Sequence, residues 1–460
     1  MKQEGPNVLC VVLDTARRDA FEPYGAEAGS TPTVAQLASA GRALPDVHAS
    51  ASWTVPSHAS FLTGELPRAL GLGQAPGGRP SGCRPTLEAN RERLLPEVLR
   101  RNGYATAAVS ANVWISKESG FATGFERFDE VITGRQDFMH RTDPVARMRW
   151  GLESARASVD DGAAAADHVL ARMIDERPER PFFWFVNLIE CHSPYLPPRP
   201  YDDLPLWQRI KAGADARRHL TLDAIWRACA GGFDIPDEAI ARMRHLYARA
   251  IRYLDDWLAR VLERLERASL LDDTLVLVTS DHGENLGEGG LISHAFSLDQ
   301  RLIRVPLIAA GPVEIAEMSS LIELPRAIAD AIGLDEHPWH ERPGVTVAQF
   351  DPLTTRDDPR AREVVEHWGL GEEALTRITS PITCAVDGSR KLVRFGDRDL
   401  FYDLGADPLE LQPNGDAPAH LRAALDDPRV WAKPADAPAA RADEGDAEDI
   451  ERRMRLLGYM

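Results

Sequence analysis

Ser52-Trp53-Thr54-Val55-Pro56-Ser57-His58-Ala59-Ser60 is the stretch on which the reading of this chain turns, together with Asp281-His282-Gly283-Glu284 far downstream. In the first stretch a hydroxyl residue, Thr54, stands two positions before a proline, which is tolerated in the first turn of a helix. A helix opening there directs its partly positive N-terminus at Thr54. In the second stretch, Asp281 and His282 come just after the apolar run 274–279, TLVLVT, so a carboxylate and an imidazole share a strand end. A further carboxylate, Asp14, follows the run NVLCVVL at 7–13. Ligands of open α/β sheets collect at the carboxyl ends of strands, where Asp14, Asp281 and His282 would all lie. Taken singly, Asp14 reads equally as a carboxylate capping the next turn. Taken by themselves, Thr54 and its neighbours read first as an ordinary turn and helix cap.

Working outward, the runs 7–13, 104–110, 181–189, 274–279 and 305–309 are short, apolar and rich in β-branched or aromatic residues. Such runs predict strands buried on both faces. Between them, 94–101 and 240–265 show helical periodicity, as does 320–333, and Thr31-Pro32-Thr33 predicts a helix start capped by Thr31 or Thr33. Strands alternating with helices predict an α/β fold with a largely parallel sheet. Composition shifts to Pro, Asp and Arg over about 334–360. The runs 382–386, 389–395 and 400–404, separated by Asp-Gly and Gly-Asp turns, then predict a small antiparallel C-terminal unit. Residues 413–448 read as linker, and 447–460 as a short amphipathic helix. The domains expected are 1–345, 346–415 and a tail over 416–460.

A net charge of -18 argues against a general nucleic-acid binder. Five scattered cysteines with no CxxC read as reduced thiols, not a disulfide framework. No apolar stretch approaches the roughly 20 residues of a membrane helix, and the N-terminus shows no signal peptide, so a cytoplasmic location is expected. Oligomeric state is left open.

The stretch around Thr54 and the stretch SDHGENLGEGGLISHA resemble segments of the sulfatases, in the alkaline phosphatase superfamily. Sulfatases carry C/S-x-P-S-R, and the Cys or Ser is oxidised to formylglycine. Here Thr54 takes the first position and His58 the last, and threonine has no route to that aldehyde. The resemblance runs over most of the chain. It implies a large domain with a mostly parallel central sheet flanked by helices and a small C-terminal antiparallel subdomain. It implies Asp14, Asp281, His282 and the Thr54 oxygen as metal ligands. Many members have a second Asp after the first, where this chain has Thr15; a subgroup shows D-T-x-R-x-D, matched by Asp14, Thr15, Arg17 and Asp19. His192, in Glu190-Cys191-His192-Ser193-Pro194-Tyr195, and His294 match positions near the ester and its leaving oxygen. Arg17, His58 and Lys391 are the remaining candidates for binding the anion.

His282 offers nitrogen, which shifts the expected divalent ion toward Mn or Zn and away from Ca. One ion is expected, with room for a second drawing on Glu190, His192 and His294. The expected activity is hydrolysis of a phosphate monoester or diester through a metal-activated Thr54 nucleophile. The alternatives are a sulfuric ester hydrolase without formylglycine, a phosphotransferase to an acceptor alcohol, and a non-catalytic binding protein on this fold. The substrate expected is a small anionic ester, including a sugar-linked one. The segments 134–165 and 199–235, the latter with Trp207, Arg209, Arg217, Arg218 and Trp226, are the candidate substrate loops.

Overall fold

Strand β1 (Asn7–Leu13) explains the architecture by its alternation. Leu9, Val11 and Leu13 face one apolar cluster, while Val8, Cys10 and Val12 face another, and all six are buried. A strand covered on both sides needs apolar residues at every position, which is why the run is continuous. The computed structural model describes residues 5–72, 83–133, 139, 141, 143–178, 181–341, 344–352 and 354–432.

The central sheet has seven strands: β1, β2 (Arg42–Ala43), β3 (Ala105–Ser110), β4 (Arg127–Glu130), β5 (Phe182–Leu188), β6 (Thr274–Thr279) and β7 (Leu307–Ala310). Their spatial order is β2-β7-β6-β1-β5-β3-β4. The run β6-β1-β5-β3-β4 is parallel, and β7 is antiparallel to both of its neighbours. The register places Val12 opposite both Thr279 and Asn187, and Asn187 opposite Ser110. Four parallel strands therefore end at one level, and the residues that follow them gather at one edge.

Helices cover both faces. Helix α1 (Pro32–Ala40), α3 (Ala163–Glu176) and α4 (Asp237–Arg267) pack with the Leu9 face. Helix α2 (Thr54–Thr63) packs with the Val8 face and is buried along its whole length. A second sheet is antiparallel, in the order β8 (Thr346–Phe350), β9 (Ile382–Asp387), β10 (Arg390–Phe395), β11 (Arg398–Asp403). Among the described residues no helix is long and apolar enough to cross a membrane. The five cysteines are buried thiols, none of them in a disulfide.

The structure corrects several expectations. The run 305–309 is not one strand: Arg304–Val305 pairs with Val47–His48, and the chain passes Pro306 before entering the main sheet as β7. Proline cannot donate to a ladder, so the pairing changes partner there. Residues 320–333 open with a tight turn, Leu321–Glu323, before the helix Leu324–Ala331. Neither Thr31 nor Thr33 caps α1 with its side chain; Asp255 of α4 accepts from the amides of Thr33 (3.1 Å) and Val34 (2.9 Å). Strand β8 was hidden by its polar surroundings and by Gln349, whose amide binds the Arg68 amide and the Val430 carbonyl across the molecule. Part of the stretch read as linker is helical, at Ala419–Asp426 and Pro428–Trp431, because Leu421 and Leu425 bury against Ala385 and Leu392. The helix expected at 447–460 lies outside the described residues.

Candidate active site

The edge where β1, β3, β5 and β6 end carries Asp14, Asn112, His192, Asp281 and His282. All five are buried. Asp14, Asp281 and His282 each offer one ligand-type atom, and these atoms lie within 4.8 Å of one another. Burial, and then the neighbouring Asp281 carboxylate, push the Asp14 pKa well above the usual range. Burial pushes Asp281 the same way, but His282 and His58 overcome it and hold its carboxyl below the usual range. Asp14 Oδ1 has no hydrogen-bond partner, and Asp281 Oδ2 has only the ring nitrogens of His58 and His282 beside it, each 3.3 Å away. Two buried carboxylates so placed form a set that a cation would satisfy.

His282 is prepared for the same role. Its Nδ1 lies 3.0 Å from the Gly283 carbonyl, which can only accept, so Nδ1 carries the hydrogen and Nε2 keeps its lone pair. That Nε2 lies 3.4 Å from the Thr54 hydroxyl. Burial lowers the His282 pKa to about 4, so the ring is neutral near pH 7. Gly283 is required by close approach, since a Cβ there would sit 1.9 Å from the Arg301 carbonyl oxygen.

Thr54 opens α2, and its Oγ1 lies 3.5 Å from Asp14 Oδ2. Asn112 donates to the same Asp14 oxygen at 2.6 Å. Ser57, one turn on, donates to the Asp281 carbonyl at 2.6 Å and fixes the helix against the β6 end. His58 sits behind the cluster. Its Nδ1 is 3.0 Å from the Thr54 carbonyl and 3.3 Å from Asp281 Oδ2, and its Nε2 faces the Asn187 amide nitrogen at 3.2 Å. A carbonyl can only accept, so His58 Nδ1 carries a hydrogen. Phe61, Phe121 and Phe185 enclose its ring. His58 is therefore placed to orient Asp281.

The His294 ring packs at a tilt against those of His282 (ring centroids 4.6 Å apart) and His192 (5.3 Å). Burial lowers both His192 and His294 to about 4. Glu284, raised to about 7 by burial, lies 3.3 Å from His294 Nδ1. Thr15, Tyr195, Ser293 and Phe296 around these groups have positive φ of 60°, 58°, 62° and 56°. Such backbone costs on the order of 1–3 kcal/mol per residue and persists where the surroundings fix it.

Thus Asp14, Thr54, His58, His192, Asp281, His282 and His294 come together. Arg17 and Lys391 are engaged otherwise. Arg17 is bidentate to Asp19 (2.9 and 2.6 Å) and pairs with Glu288 (2.7 Å). Lys391 is fully buried and paired with Glu410. Thr15, standing where many sulfatases have a second Asp, is buried with a hydroxyl that lacks a partner. In the proposed substrate loops, Arg209 is buried and spends its guanidinium on the carbonyls of Ala155 and Leu204. Trp226 packs edge-on against Phe296. Sequence reasoning missed Asn112 and Asn187, although Asn112 follows a strand end just as Asp14 does.

The family model described as Sulfatase matches residues 6–333. The chain is 27% identical over 441 residues to a choline-sulfatase of Rhizobium meliloti (strain 1021), covering 88% of this chain and 81% of that protein. Among solved structures, the fold resembles BT1596, a 2-O GAG sulfatase, with a TM-score of 0.64 at 15% identity, over 96% of this chain and 94% of that one. It also resembles the phosphonate monoester hydrolase of Agrobacterium radiobacter, with a TM-score of 0.61 at 18% identity, over 98% and 95% of the two chains. Members of the matched family bind a divalent metal, and the Asp14–Asp281–His282 cluster suits one. With that match covering most of its length and this site at the sheet edge, the chain belongs to the sulfatase family and is an ester hydrolase.

Proposed function

We propose that this protein hydrolyses a phosphate monoester or diester through Thr54, with one Mn or Zn ion held by Asp14, Asp281 and His282. The observation that carries the proposal is the position of Thr54 Oγ1, between Asp14 Oδ2 (3.5 Å) and His282 Nε2 (3.4 Å). An alcohol is a weak nucleophile until a neighbouring charge favours its ionised form. A divalent ion at this cluster supplies positive charge that attracts the ester anion and favours ionisation of the hydroxyl. The Nε2 lone pair of His282 favours Mn or Zn over Ca.

The chain's own residues account for the rest. Thr54 Oγ1 attacks phosphorus in line, forming the Oγ1–P bond as the bond to the leaving alcohol breaks. The departing oxygen needs one proton, and Thr54 loses one. His192 Nδ1 is committed to the Ser193 carbonyl at 3.0 Å, so Nε2 is the ring atom able to take up and return a proton. His294, against both other rings, is the second candidate for the leaving oxygen. Water then attacks phosphorus, the Oγ1–P bond breaks, and Thr54 recovers its proton.

A second reading, sulfuric ester hydrolysis, is favoured by the similarity to a choline-sulfatase along most of the chain. The likeness to a 2-O GAG sulfatase keeps sugar-linked esters among the substrates to try. The test is a panel of aryl phosphates, aryl phosphodiesters and aryl sulfates with Mn- or Zn-loaded protein, alongside Thr54→Ala. We expect turnover of phosphate esters, a phosphate adduct on the Thr54 peptide after acid quench, and a loss on the order of 10³-fold or more in the variant. Preferential turnover of aryl sulfates, or full activity in Thr54→Ala, would overturn the proposal.

A further inference from the structure

The loop bearing His294 is strained on both sides, at Ser293 (φ 62°) and Phe296 (φ 56°), and it is held from the C-terminal sheet. Phe296 packs edge-on against Phe350 of β8, with centroids 5.8 Å apart. Lys391 of β10 reaches across and donates Nζ to the Leu298 carbonyl at 2.5 Å. Its partner Glu410 accepts from the Gln300 amide at 2.5 Å. The same set of contacts reaches the segment leading into Thr54. Gln300 Oε1 meets His48 Nε2 at 3.1 Å, the Ala49 amide donates to Ile303 (2.7 Å), and the Gln349 amide of β8 donates to Ser50 (2.8 Å).

A fully buried lysine is an expensive way to fill space. Replacing a buried ion pair by apolar residues of similar volume is often neutral or stabilising. The pair therefore points to a geometric task, because an ammonium can grip a carbonyl and a carboxylate at once where a methylene cannot. Both of its backbone targets, Leu298 and Gln300, lie just beyond His294. We propose that Lys391 and Glu410 are positioning residues that set the imidazole of His294, so that the C-terminal sheet forms part of the active-site framework. This rests on the reading above of His294 as a contact to the leaving oxygen.

The test uses full-length, metal-loaded protein. Lys391→Met/Glu410→Met removes both charges together, so no orphaned carboxylate is buried. Lys391→Arg keeps a donor for the Leu298 carbonyl. Arg390→Gln, on the same strand and paired at the surface with Asp387, is the control. The His294 ring resonances are followed in ¹⁵N-histidine-labelled protein, assigned with His294→Gln. Turnover is measured on aryl phosphates graded by leaving-group basicity.

We expect the double variant to shift the His294 resonances. We expect it to lower kcat by on the order of 10-fold or more for the poorest leaving group and little for the best, since only poor leaving groups need the proton. Lys391→Arg should recover part of both effects, and Arg390→Gln should show neither. Unmoved His294 resonances in the double variant would overturn the positioning role. Shifted resonances with no change in leaving-group dependence, or no turnover by wild type, would uphold the tether and overturn the ester chemistry assigned to His294.

Discussion

Asp14→Asn isolates what the two buried carboxylates do with and without a cation. The ligand atoms of Asp14 and Asp281 lie within 4.8 Å. At an effective dielectric near 20, two like charges at that distance repel by about 3.5 kcal/mol. Asp14 escapes part of this by holding its proton, consistent with its raised pKa, so relief of about 1–3 kcal/mol is a fair range for the substitution. Asparagine retains an oxygen to accept from Asn112, which donates to Asp14 at 2.6 Å. An unfolding entropy of about 2.1 cal/mol/K per residue, over 460 residues, amounts to about 1 kcal/mol per degree. Metal-free Asp14→Asn should therefore melt about 1–3 °C above metal-free wild type. Adding Mn or Zn at about 100 times its Kd stabilises the protein it binds by about 2.7 kcal/mol, or about 3 °C here. Wild type should gain that shift and Asp14→Asn should lose most of it, closing or reversing the gap between them. The assay is thermal denaturation with chelator and with metal, and elemental analysis of the dialysed proteins. A variant that melts below wild type in chelator, or one that keeps the full metal-induced shift, would refute the reasoning.

Two further outcomes follow from other parts of the structure. Burial, with Asp160 and Asp161 nearby, raises Glu190 to about 8. Between its ordinary value near 4.5 and about 8 the native state binds the extra proton, so its contribution is present at acid pH and is lost as pH rises through that window. Relative to Glu190→Gln, wild type should lose a few kcal/mol between pH 5 and 8 in chemical denaturation; parallel pH profiles would remove the argument. Asp255→Ala strips the cap from α1, leaving the Thr33 and Val34 amides without their acceptor, and should cost about 1–2 kcal/mol, measurable by the same denaturation. A loss under about 0.3 kcal/mol would show that other groups or water replace the cap.

The sequence alone carried the α/β fold and the residues at the strand ends. A strand covered on both faces must be apolar throughout, and NVLCVVL and TLVLVT declare that locally. Asp14, Asp281 and His282 were legible because each follows such a run directly. Thr54 was legible from its helix-opening context and its resemblance to a known segment. What depends on contacts between distant segments was not written in any local pattern. The cap on α1 comes from Asp255, more than 200 residues away in sequence. His58 and Lys391, both read as anion-binding candidates, are charged or chargeable residues whose partners sequence could not name. Only tertiary structure set His58 against Asp281 and Asn187, and Lys391 against Glu410 and the Leu298 carbonyl. The physical reason is that apolar periodicity is a property of one segment, whereas a buried polar group is defined by whichever distant group satisfies it.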